Sequence, residues 1–224
     1  MKPKKAKPIT RKNVAGRPKD TAKHEGIVRA ANTLFMKNGY ELTSMEAVAK
    51  KADVSKLTIY SHFSNKSELF KAVIRSRCDT LAMPESLMTL AHEPVEKALL
   101  QLGLNFVTLI FRPDSIRLHC IMQAEAARHP KIVQIFFEAG PKRVREAFSK
   151  LLQAWNDEKQ LAIPDVAKAT DQFFSLLKGE MLMKIILLRM PTPSANELKT
   201  HVRATVDFFL AAYQPKKSKP GHHL

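Results

Sequence analysis

Glycine is scarce in this chain, seven residues among 224. That is too few for the glycine-rich loops that cradle phosphates or oxyanions, and neither G-x-x-x-x-G-K nor G-x-S-x-G occurs. Nothing in the sequence supports catalysis, and a non-enzyme is expected. Cysteine is scarcer still. Cys78 and Cys120 are too few for a disulfide framework, and their apolar helical surroundings predict buried, reduced thiols. The eight histidines are scattered, with no C-x-x-C or H-E-x-x-H, so neither a metal nor a cofactor is expected. No run approaches the roughly 18 apolar residues of a membrane span, and the N-terminus lacks the apolar stretch of a signal peptide. A cytoplasmic chain is expected. Nor does any window alternate with period two for long enough to suggest a strand.

Positive charge is abundant and unevenly placed. Residues 1–77 hold 18 Lys/Arg against 6 Asp/Glu, whereas residues 78–215 hold 16 against 15. The excess belongs to the first third of the chain, as a polyanion-binding unit requires. Residues 1–19 form a Lys/Arg/Pro-rich leader that buries nothing and reads as a flexible basic arm. A first unit follows over 20–80, a second over 81–213, and a disordered tail over 214–224. Both units read as helices. In the first, a stripe of Ile27, Ala31, Leu34 and Phe35 ends at Gly39. In the second, prolines punctuate amphipathic runs over 93–111, 115–128, 130–139, 141–156, 165–189 and 194–213. The predicted fold class is all-α.

Residues 42–70, LTSMEAVAKKADVSKLTIYSHFSNKSELF, are the most informative stretch. Thr43 and Glu46 have capping-box spacing, predicting a short helix that buries Met45, Val48 and Ala49. Asp53 suits a turn, and Ser55 can cap a second short helix with Ile59 and Phe63 inward. Lys56, Leu57, Thr58, Tyr60, Ser61 and His62 then face outward. Two crossed helices presenting such a face match the helix-turn-helix that reads a major groove. Tyr60, His62 and Lys66 are suited to phosphates, and Thr43 and Ser44 to donating there from a helix start. Lys56, Leu57, Thr58 and Ser61 are suited to base edges.

The run Gly39-Tyr40, Ser44-Met45, Val48, Val54-Ser55, Thr58-Ile59-Tyr60, His62-Phe63, Lys66 and Leu69 resembles the DNA-binding domain of the TetR family of bacterial regulators. Leu57 departs from the family pattern, standing where a small residue or Arg is usual. Gly16-Arg17-Pro18 resembles the arm that precedes many such domains, and implies that Arg17 enters a minor groove. HPKIVQIFFEAGPKRVREAFSKLLQAW and PDVAKATDQFFSLLKGEM are similar to the AefR-like C-terminal subtype. The resemblance implies a homodimer joined through the last two long helices, reading a palindromic operator in double-stranded DNA, and a body that encloses a small apolar effector. It further implies a repressor released by that effector. The apolar stripe through Phe173, Leu177, Met181 and Ile185, with Val202, Val206 and Phe209, is the expected dimer interface. Phe106, His119, Met122, Gln123, Phe137 and Phe174 are the expected pocket residues. A sequence-tolerant architectural DNA binder without a ligand remains the alternative.

Overall fold

The computed structural model describes residues 17–82 and 89–215, with side chains over 21–79 and 89–215. Its described residues are helical, with no strand among them and no helix long and apolar enough to cross a membrane. The four helices of the first unit are α1 (Arg17–Asn38), α2 (Met45–Lys51), α3 (Lys56–His62) and α4 (Lys66–Ala82). Gly39 stops α1 at φ +80°, where its amide donates to the Phe35 carbonyl. A residue with a Cβ is strained in that left-handed turn. Ile27, Ala31, Phe35, Val48, Ile59 and Phe70 meet in one core, each 1% exposed or less.

The second unit comprises α5 (Val95–Ile110), α6 (Pro113–Glu125), α7 (Pro130–Phe137), α8 (Arg143–Asp157), α9 (Val166–Leu188) and α10 (Ala195–Tyr213). Ser194 and Glu197 cap α10 reciprocally. Its core gathers Leu99, Phe148, Leu152, Trp155 and Phe173. The boundary expected near residue 80 divides the chain but not the packing. Leu118, Met122, Ile132 and Ala139 of the second unit belong to the core of the first. The head is therefore built on the body rather than hung from it.

Two expected helix boundaries are corrected. The break at Gly140-Pro141 does not occur, because a π-helical turn, Glu138–Lys142, carries the chain from α7 straight into α8. A wider turn accommodates Pro141, whose missing N–H would leave a gap in tighter α geometry. Gly140 has a further role: a Cβ there would lie 2.9 Å from Ile74 Cγ2 and 3.2 Å from Cys78 Sγ, so α4 seats directly on the backbone of this turn. Conversely, α9 is broken where one continuous helix was expected. Gly179 has φ +51° and ψ −162° inside it. The carbonyls of Leu176 and Leu177 beside the break accept instead from His201 Nε2 on α10, at 3.1 and 3.0 Å. Since carbonyls only accept, that nitrogen carries the proton.

Candidate nucleic-acid interface and ligand cavity

The turn between α2 and α3 is set by Asp53 at φ +53°, a left-handed residue of the kind Asp tolerates. Ser44 caps α2 by accepting from the Ala47 amide, and Ser55 caps α3 by accepting from the Thr58 amide, both at 3.1 Å. The cap of α2 is thus Ser44 rather than Thr43. Thr43 is 1% exposed and its hydroxyl donates to the Gly39 carbonyl at 2.8 Å, so it has no hydroxyl to offer a phosphate. Nor does Glu46 close a capping box with Thr43. Its carboxylate pairs with Lys56 Nζ at 2.8 Å, bridging α2 to α3. The Lys56 ammonium beside it holds Glu46 below the usual carboxylate range, and Glu46 in turn raises Lys56.

Ile59 and Phe63 anchor α3 in the core, and the opposite face stands clear of it. Leu57 is 82% exposed and Tyr60 41%, both large exposures for apolar or aromatic side chains. Ser61 is exposed and its hydroxyl donates to the Thr58 carbonyl, while Thr58 Oγ1 and Ser55 Oγ share a 2.9 Å hydrogen bond. His62 sits at the end of α3 beside His24 of α1, ring centroids 5.8 Å apart. The arm of residues 1–16 and the Arg17 side chain lie outside the described residues.

Lys66 is placed differently from the expectation of a phosphate contact. Its ammonium donates to the carbonyls of Tyr40 and Glu41 at 3.0 and 3.2 Å and lies 4.4 Å from the centroid of the Tyr40 ring. Tyr40 is itself held by a 2.9 Å hydrogen bond to Ser67. Lys66 therefore buckles α4 to the turn after α1. Lys66→Ala should lower the unfolding free energy by about 1.5–3 kcal/mol, the worth of hydrogen bonds from a charged donor. Urea denaturation checks this. A variant as stable as wild type but with a weaker salt dependence of DNA binding would return Lys66 to the phosphate role.

In the body, a cavity of about 130 Å³ opens between α4, α5, α6, α7, α8 and α9. Phe106, His119 and Phe174 line it as expected. Met122, Gln123 and Phe137 do not. Met122 is buried in the head core, Gln123 faces solvent, and Phe137 is half exposed, whereas its neighbour Phe136 lines the wall. Adjacent helical residues point about 100° apart, so an error of one position swaps wall for solvent. Cys78 also lines the cavity, and burial pushes its thiol up to about 11, an unreactive state. Cys120 is exposed, contrary to its expected burial.

The functional residue that sequence reading missed is Arg77. From the cavity wall on α4 it donates to Asn32 of α1 at 3.1 Å, and to Asp114 and Ser115 of α6 at 2.8 Å each. Burial alone would raise the Asp114 carboxyl, but Arg77 and then Arg112 hold it below the usual range. The cue available was an arginine where α4 should have been apolar.

The expected dimer stripe is also corrected. Phe173, Leu177, Ile185, Val202, Val206 and Phe209 are buried inside the single chain, and Met181 is partly buried against the same core. The apolar surface left on these helices is instead Phe208 (64% exposed), Leu187 (66%), Met183 and Leu188, with Met190 just beyond the end of α9. A shallow groove bounded by Leu176, Phe208, Ala212 and Tyr213 runs between α9 and α10.

Residues 27–73 match the family model for bacterial regulatory proteins of the tetR family, and residues 97–215 that for the AefR-like transcriptional repressor C-terminal domain. A crystal structure of a TetR-family transcriptional regulator from Mesorhizobium loti is similar at 27% identity and a TM-score of 0.74, over 89% of this chain and all of that one. The flavonoid-responsive regulator FrrA is similar at 28% identity and a TM-score of 0.65, over 88% of this chain and all of that one. The uncharacterized HTH-type transcriptional regulator YdeS of Bacillus subtilis is 33% identical over 72 residues, 32% of this chain and only 36% of that protein.

Proposed function

Because this chain belongs to the TetR family of bacterial transcriptional regulators, with an AefR-like C-terminal domain, we propose that it is a dimeric repressor released from a palindromic operator by a small effector held in the body. One observation carries the reading. Helix α4 starts in the head as the buckle under Tyr40 and ends as a wall of the cavity, through Ile74, Arg77 and Cys78. A ligand that prefers one position of α4 shifts the population of head spacings by its differential affinity for the two. Two α3 helices about 34 Å apart would enter successive major grooves. Ser55, Lys56, Leu57, Thr58 and Ser61 would lie toward base edges. Tyr60 and His62, with the Ser44 end of α2, would lie toward phosphates. Arg17 would follow the adjacent minor groove.

Selecting genomic fragments with the purified protein tests this. A palindromic consensus is expected. Leu57→Ala should change the preferred base at one position in each half-site, and Tyr60→Phe should weaken binding to all sequences alike. Uniform recovery of fragments would leave a sequence-tolerant architectural DNA binder instead.

A further inference from the structure

Among the described residues, the charged side chains in the cavity wall are Arg77, Arg145 and Lys178, all cationic, with no carboxylate among them. Two are already spoken for, Arg77 by Asp114 and Arg145 by Asp171. Lys178 is partly buried, and the neighbouring charge that acts on it is Arg145, of its own sign. Around it the wall is apolar, dominated by Phe106, Phe136 and Phe174. The volume of about 130 Å³ is close to the roughly 150 Å³ that accepts one benzene ring in an apolar protein cavity.

No carboxylate among the described residues pairs with the Lys178 ammonium, and a partly desolvated charge without a counter-ion is costly. We propose that the cavity takes an organic acid with one ring-sized apolar body, seated against Phe106, Phe136 and Phe174, whose carboxylate pairs with Lys178. This rests on the effector reading above and replaces an apolar effector with an amphipathic anion. Burial, and then the Arg145 charge, hold the Lys178 ammonium below the ordinary lysine range. A bound carboxylate would relieve both penalties, and a neutral isostere neither. The ring supplies binding through contact area, and the carboxylate supplies the discrimination.

Isothermal titration of the full-length protein with phenylacetate and with phenylacetamide tests the inference. The two probes share size and shape and differ in charge. Wild type should favour phenylacetate by about tenfold or more, the scale of one charge-assisted hydrogen bond. Lys178→Met should abolish that preference while leaving phenylacetamide binding within about twofold, which also shows the cavity intact. Lys178→Arg should retain it. Equal affinities in wild type, or a preference that survives in Lys178→Met, would overturn the acid while leaving the effector reading in place. Binding of neither probe would overturn the effector cavity and the acid together.

Discussion

On the dimeric reading proposed above, a chain carrying Phe208→Glu and Leu187→Glu is expected to sediment as a monomer, melt close to wild type, and bind operator DNA about 10²–10⁴-fold more weakly. Both side chains are largely exposed on the isolated chain, so charging them removes no contact from its core. In a two-fold interface each substitution appears twice, and four carboxylates would then face apolar surface. The loss of affinity follows from linkage alone, because two joined heads bind as one ligand with a high effective concentration. Analytical ultracentrifugation and operator titration read the two effects separately. A double variant that stays dimeric with unchanged operator affinity would place the interface elsewhere.

Leu177→Glu should behave in the opposite way. Leu177 is 0% exposed, and its Cδ2 methyl lies 3.4 Å from where a Cβ on Gly103 would stand. An uncompensated carboxylate at that point costs several kcal/mol, a large share of the total stability of a chain this size. Loss of cooperative unfolding by circular dichroism is the expected outcome, with DNA binding lost because the body no longer supports the head. If Leu177→Glu folded normally and merely separated the subunits, the buried stripe would be an interface after all, and the core described for α9 would be wrong.

The contrast between these variants marks where sequence reading reaches its limit. Period and caps identified several helix ends: Ser55 before α3 and Gly39 after α1 are where local chemistry puts them, and the run over 194–213 matches α10. Local chemistry suffices there because the partners lie within four residues. The orientation of α9 was not legible, since a helix apolar on most sides has no single inward direction. The stripe chosen for the partner proved to be the core, and the surface went to Met183, Leu187 and Leu188. Lys66 and Glu46 failed for a different reason. Charge suggested a phosphate for one and a cap for the other. Their partners, the Tyr40 carbonyl and Lys56, are brought near by the crossing of helices rather than by spacing. Arg77 escaped notice likewise, because its value lies in joining α1 to α6, 45 and 37 residues away in sequence.

The seat of α4 on Gly140 has a mechanical consequence. With Ile74 and Cys78 already against bare backbone, α4 meets a steep repulsive wall if it moves toward the π-helical turn, whereas dispersion and the part-exposed Asp79–Arg143 ion pair resist it more gently if it moves away. The restoring force is therefore lopsided, stiff on one side and soft on the other. Displacement of α4 away from Gly140 is the softer direction, whereas a shift toward Gly140 must carry the π-helical turn along with it.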